Sequence, residues 1–270
     1  MTGKARKIAI VGGTGKMGSL AAKLLKKDGF EITICSRKPA LAKKVAERLG
    51  VAYNTLEGGV KEADIVLVSV PIETTYKVCK QAAKQMRNGA LLIDIASVKT
   101  GIADKLTKEL PNHVKYLSLH PLFGPQAPSL NKQNVVVIKS RMDSCSRKVV
   151  AYLKSKGAQV SFLSVDQHDR AMAIVQAMHH FAMLSFLHTL STQLSKFKEP
   201  EKLTTRSLRL TLKSIDNILK NLDSAASIQK NNPYAKEIRK TYLNLMTKLA
   251  KMDLKEISSK IKEKLDILSP

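Results

Sequence analysis

Residues 7–18 read "KIAIVGGTGKMG", and this stretch decides the fold. A β-branched run, Lys7–Val11, gives way at once to glycines spaced Gly13-x-Gly15-x-x-Gly18. A helical pattern, "MGSLAAKLLKKDG", follows as far as Gly29. In a strand–turn–helix setting each glycine has a task. The first permits the tight turn, the second lets the backbone approach a pyrophosphate, and the third lets helix and strand pack closely. The start of the helix presents unpaired N–H groups and the positive end of its dipole to the phosphates. Gly13, Thr14, Gly15, Lys16, Met17 and Gly18 are therefore the expected phosphate loop of a dinucleotide site.

The pattern continues outward from that loop. "EITICS" (31–36) reads as a strand, and "PALAKKVAERLG" as a helix with proline in its first turn and glycine at its end. "DIVLVSVP" (64–71) and "ALLIDIAS" (90–97) are almost wholly apolar, as parallel strands covered on both faces require. "KYLSLHP" (115–121) and "NVVVIKS" (134–140) continue the series. Alternation of this kind predicts an α/β fold, with an N-terminal Rossmann-like doubly wound sheet. From about Ser164 the texture becomes helical, beginning with "DQHDRAMAIVQAMHHFAMLSFLHTLSTQL". The expected division is a dinucleotide-binding domain over 1–164 and an all-helical substrate and dimerisation domain over 165–270. So long an apolar helix needs more partner surface than a short chain offers, so the expected partner is a second copy, a homodimer through the C-terminal helices.

The second strand ends in "CSRKP". A site for NAD usually carries an acid here to hold the ribose 2′-hydroxyl. Ser36, Arg37 and Lys38 stand there instead, two cations and a hydroxyl suited to a 2′-phosphate. The expected cofactor is NADP rather than NAD.

Composition narrows the remaining classes. The chain has 270 residues, of which 44% are apolar, enough for a large core. Its three cysteines, Cys35, Cys79 and Cys145, form neither a metal-ligand pattern nor a disulfide framework, which suits a reducing cytosol. No secretory leader and no membrane-length apolar segment is visible, so a cytoplasmic location without membrane contact is expected. The charge is the anomaly, with 46 basic against 22 acidic residues and a net +24. The basic residues are spread along the chain, a lysine-rich surface that also steers anions. Aromatics are 4%, tryptophan is absent and no nucleic-acid module is visible, so dedicated nucleic-acid binding is not expected.

Polar residues cluster where strands end. Ser97 and Lys99 lie just past one buried strand, and His120 sits on the stiff segment "SLHPLFGP" (118–125) at the end of another. Open α/β sheets bind ligands at those carboxyl ends. Asp94, inside its strand, reads as a structural partner. His179 and His180 share an apolar helix at directions roughly 100° apart, so only one readily faces a given site. A histidine on an apolar face is also commonly a satisfied core residue. Arg206 and Arg209 in "LTTRSLRLTL" are cations for an anionic substrate, or simply solvent-facing.

Taken in order, "IVGGTGKMG", "SVP", "DIASVK", "HPLFGP", "SLNKQNVVV" and "QAMHHF" resemble the prephenate dehydrogenase family of tyrosine biosynthesis, over about residues 5–240. The opening alone is also similar to deazaflavin-dependent NADP reductases, which lack the "HPLFGP" and "QAMHHF" segments. The family resemblance implies oxidative decarboxylation of prephenate, a small dianion, to 4-hydroxyphenylpyruvate with hydride transfer to NADP. It implies that His120 accepts the proton of the ring hydroxyl and that Ser97 bonds the same hydroxyl or orients His120 relative to the nicotinamide. It further implies that His180 contacts substrate, that Arg209 holds a carboxylate, and that Val70 and Pro71 of "SVP" line the cofactor. "NNPYAKEI" downstream favours Arg209 over Arg206. Arogenate in place of prephenate stays open. The tail is too short for a fused chorismate mutase or a regulatory domain, so any feedback inhibition is expected to act at the active site. An NADP oxidoreductase with another partner and a non-catalytic dinucleotide sensor are the competing readings.

Overall fold

The computed structural model describes residues 6–139 and 143–262, in two compact units that divide between Met172 and Ala173. The first unit runs β1 (Lys7–Val11), α1 (Lys16–Lys27), β2 (Glu31–Cys35), α2 (Pro39–Leu49), β3 (Ala52–Asn54), α3 (Leu56–Lys61), β4 (Ile65–Val68) and α4 (Ile72–Ala83). It continues with β5 (Leu91–Asp94), α5 (Ala103–Glu109), β6 (Lys115–Pro121), β7 (Asn134–Ile138), α6 (Ser144–Ser155), β8 (Gln159–Leu163) and α7 (Val165–Met172).

The eight strands form one sheet in the order β3-β2-β1-β4-β5-β6-β7-β8. Pairing is parallel from β3 to β6, then β7 joins β6 antiparallel and β8 joins β7 parallel. This is the doubly wound sheet that the alternation predicts, extended by two strands of reversed direction. Side chains alternate between its two faces. Ile8, Ile10, Ile32 and Ile34 pack with Ala22, Ala42 and Val45 of α1 and α2 on one side. Ala9, Val11, Val66 and Val68 pack with Val60, Cys79, Ala82 and Leu106 of α3, α4 and α5 on the other. Helices thus cover both faces, which is why β4 and β5 are buried at every position and read as continuous apolar runs.

Register sets up the functional edge. Cys35 pairs with Val11, Val11 with Val68, Val68 with Asp94, and Asp94 with Ser118. Four parallel strands therefore end at one level, and β6 runs on past it to Pro121. The order reverses between β1 and β4, the crevice where such sheets take ligands.

The second unit holds a π-helix (Ala173–Met178), α8 (His179–Leu194), α9 (Arg206–Leu219), α10 (Leu222–Asn231), α11 (Ala235–Leu249) and α12 (Leu254–Lys262), with no strand among the described residues. The π-helix packs against α8, α10 and α11. None of the sixteen residues of α8 is buried, although its sequence is largely apolar and Phe186 is 41% exposed. Among the described residues no helix is long and apolar enough to cross a membrane.

Candidate active site

The phosphate loop lies between β1 and α1. Gly12 makes the turn: its φ is +81°, and a Cβ there would collide with the carbonyl oxygen of Ser69 at the end of β4. The GxGxxG spacing assigns that turn to Gly13, which instead lies under Ile34, where a Cβ would approach the side chain to 2.9 Å. A Cβ on Gly18 would strike the Gly12 carbonyl, so the last glycine seats the helix on the turn as expected. Gly15 is the exposed N-cap of α1, and no side chain caps the helix. The first-turn amides of a helix have no acceptor within it. This positively polarised backbone, with no side-chain cap, fits the pyrophosphate of a dinucleotide.

The rest of the predicted cofactor surface follows the ends of neighbouring strands. Ser36 is half-buried after β2, its Oγ accepting from the Lys38 amide at 3.2 Å, while Arg37 and Lys38 are exposed. Val70 is half-buried after β4, and Pro71 is exposed as the N-cap of α4.

Ser97 is half-buried just past β5, and His120 is the next-to-last residue of β6, 2% exposed. His120 Nδ1 lies 2.9 Å from Nε2 of His168, and His168 Nδ1 lies 2.7 Å from Oδ1 of Asp169. The two rings meet edge to face, with centroids 5.0 Å apart. Asp169 also accepts the backbone amides of Lys99 at 3.0 Å and Thr100 at 2.8 Å. Burial pushes the Asp169 carboxyl upward, but His168 and those amides together hold it below the usual carboxylate range. Burial, then the neighbouring His168 and Lys99, drives His120 well below an ordinary imidazole. Burial lowers His168 too, partly offset by Asp169. Both rings are therefore neutral at neutral pH, and a neutral imidazole can accept a proton.

A second buried group braces the first. Lys99 and Asp94 are both 0% exposed and form an ion pair at 2.8 Å. Lys99 Nζ also donates to the Leu119 carbonyl at 2.7 Å, and Asp94 accepts from the Tyr116 hydroxyl at 2.6 Å and the Ala96 amide at 3.0 Å. Lys99 thereby ties the segment carrying Ser97 to the peptide that precedes His120. The structural part foreseen for Asp94 is this pairing.

In the second unit, His180 is half-buried near the start of α8, close to the exposed His179. Its Nδ1 is buried without a partner, as is Oε1 of Gln176 on the π-helix. Arg206 and Arg209 are exposed on the first turn of α9, which packs on α8. The sequence-predicted residues thus fall into two sets. The loop residues, Ser97 and His120 gather at one edge of the sheet, and His180 and Arg209 lie on two packed helices of the other unit.

Comparison with known proteins bears on the same two units. The profile described as "Prephenate dehydrogenase, nucleotide-binding domain" matches residues 21–167, and "Prephenate dehydrogenase, dimerization domain" matches residues 164–266. The chain belongs to the prephenate dehydrogenase family. It is 36% identical over 263 residues to a probable arogenate/prephenate dehydrogenase of Methanocaldococcus jannaschii, covering 95% of this chain and 57% of that protein. It is 34% identical over 177 residues to the T-protein of Haemophilus influenzae, covering 65% of this chain and 43% of that one. The chain thus spans about half the length of these curated relatives. Prephenate dehydrogenase from A. aeolicus, in complex with hydroxyphenyl propionate and NAD+, matches with a TM-score of 0.70 over 100% of both chains at 20% identity, a likeness of fold.

Within this prephenate dehydrogenase fold, the sequence reading missed Gly12, His168, Asp169 and Tyr116. Gly12 was hidden by the adjacent glycine. "DQHDR" has a helical pattern that says nothing of a site, although its adjacent histidine and acid are a visible signal.

Proposed function

We propose that the chain oxidises and decarboxylates a cyclohexadienyl dianion of the prephenate type, with NADP as hydride acceptor. The observation that carries this reading is the buried His120 near the carboxyl end of β6, on the same sheet edge as the glycine loop. The loop from Gly13 to Gly18, with Gly12, would hold the pyrophosphate, and Val70 and Pro71 would flank the cofactor. Ser36, Arg37 and Lys38 would take a 2′-phosphate. When bound, the dinucleotide supplies the acceptor for the hydride.

The remaining work falls to side chains. His120 takes the proton of the ring hydroxyl as hydride leaves the carbon that bears it. The bond from the quaternary ring carbon to its carboxylate then breaks, carbon dioxide departs, and the electron pair completes the aromatic ring. His120 returns the proton to the phenolate oxygen, so protons and electrons balance. Aromatisation supplies driving force, and the protein chiefly positions the reactants and handles the proton. Ser97 orients the hydroxyl, His180 contacts the substrate, and Arg209 pairs with a carboxylate in bidentate fashion. The apolar, unburied α8 supports a homodimer formed through the helical unit. The test is spectrophotometric: protein, prephenate and NADP+ should yield NADPH. Parallel runs with NAD+ and with arogenate read the cofactor and the substrate. No reduced nicotinamide in any combination would overturn the proposal.

Two replacements probe the binding roles. Losing a charge-assisted bond costs about 1.5–3 kcal/mol, or ~10–100-fold in an equilibrium constant. Arg209→Ala should raise the substrate KM by that order and leave turnover largely intact; an unchanged KM would place the carboxylate anchor elsewhere. Arg37→Asp should repel a 2′-phosphate and shift the NADP-to-NAD preference in kcat/KM by ~10-fold or more toward NAD. An unmoved ratio would refute the 2′-phosphate role.

A further inference from the structure

The hydrogen bonds behind His120 have a direction. Asp169 is ionised and can only accept, so the bond at 2.7 Å requires a proton on Nδ1 of His168. A neutral imidazole carries its proton on one nitrogen, so Nε2 of His168 is a lone pair. The bond at 2.9 Å to His120 then requires the proton on Nδ1 of His120. That leaves Nε2 of His120 bare.

We propose that Asp169 and His168 are positioning residues that fix the tautomer of His120, holding its Nδ1 as a donor and its Nε2 as the acceptor for a substrate proton. The inference rests on the dehydrogenase reading for its purpose, but the tautomer itself follows from the hydrogen-bond geometry with Asp169 ionised and His168 neutral, whatever the reaction. His120 would otherwise choose freely between two tautomers, one of which presents an N–H to the substrate hydroxyl and cannot act as a base. The pair also serves the charged state. When Nε2 takes a proton, the imidazolium keeps its Nδ1–H bond to His168, whose own Nδ1–H remains on a carboxylate. Asp169 is itself anchored by the amides of Lys99 and Thr100, so the segment that carries Ser97 and the ring that needs orienting share one support. The charged groups around His120 are Lys99, paired with Asp94, and Asp169 behind His168.

The tautomer can be read without any activity. Long-range proton–nitrogen NMR of the full chain, with its six histidines labelled and assigned by single replacement, should show His120 protonated at Nδ1 and bare at Nε2. The opposite tautomer would overturn the proposal even if the chain proves an active dehydrogenase. Conversely, an inactive chain with the expected tautomer would sink the functional reading and leave this inference standing.

Kinetics supply the second arm. In Asp169→Asn the side-chain oxygen can keep the Thr100 amide and the longer 3.3 Å bond from the Lys99 amide, and the amide NH₂ faces His168 in place of the oxygen that took the 3.0 Å Lys99 bond, which reverses both bonds in the chain. Turnover should fall ~10²–10⁴-fold, as when a wrong tautomer replaces a base, with cofactor affinity retained. Should that variant fail to fold, position 168 decides. Gln can accept from His120 and donate to Asp169, whereas Leu can do neither. His168→Gln should therefore keep turnover ~10-fold or more above His168→Leu, with equal cofactor affinity. Equal turnover of the two would show that the position is merely filled.

Discussion

His120→Asn should lose ~10²–10⁴-fold in turnover with prephenate while binding NADP+ like the parent, because the loss is that of a general base. An asparagine amide can still donate to Nε2 of His168 in place of the imidazole Nδ1–H, so the buried partner keeps its bond. What disappears is a basic nitrogen at the reach of Nε2. The pH profile should change in a defined direction. Burial lowers the pKa of His120 below 6.5, so its basic form persists as pH falls to that lower value and is lost beneath it. The acid limb of kcat/KM should accordingly lie below pH 6.5 in the parent and vanish from the residual activity of the variant. Undiminished turnover in His120→Asn would refute the assignment of the base.

Lys99→Met should cost about 3–5 kcal/mol of stability, the usual penalty for removing one partner of a buried ion pair. Methionine matches the stem of the lysine but strands Asp94 at 0% exposure and leaves the Leu119 carbonyl without its donor. The pair itself adds little net stability, because both charges were taken out of water to form it. The cost comes from breaking it. Urea unfolding followed by fluorescence or circular dichroism reads the shift in midpoint. A companion replacement, Asp94→Leu on the Lys99→Met background, should recover part of the loss by removing the stranded carboxylate. It should not recover all of it, since the Tyr116 hydroxyl and the Ala96 amide also bond to Asp94. A single variant as stable as the parent would refute the cost assigned to breaking the buried pair.

These two residues mark the limits of what the sequence discloses. The central strands were legible because burial on both faces removes polar residues from them, and "DIVLVSVP" and "ALLIDIAS" carry that signature. β3 was not, because all three of its residues, Ala52, Tyr53 and Asn54, are exposed at the sheet edge. His120 drew notice because two prolines stiffen the chain beside it. The residues behind it did not, since His168 stands 48 positions away and the Lys99–Asp169 bond spans 70. Bonds of that separation exist only once β6 and α7 have been brought together by the sheet. The turn at Gly12 was obscured because the G-x-G-x-x-G spacing begins one residue later, at Gly13, and only the positive φ of Gly12 separates the two. The π-helix at Ala173–Met178 carries no glycine or proline to announce it, so an unbroken helical pattern was the natural reading.

The large positive charge fits the same account without deciding it. A net +24 draws anions toward any cleft and raises encounter rates at low salt. The proposed dianionic substrate and phosphorylated cofactor would both benefit, as would many other anions.

The most direct test of the central claim, hydride removal coupled to loss of carbon dioxide at one site, is a stoichiometry. With prephenate or arogenate as the limiting reactant, the account predicts carbon dioxide and reduced nicotinamide in equal amounts, one of each per substrate consumed. Reduced nicotinamide without carbon dioxide, or neither product with either substrate, would contradict it.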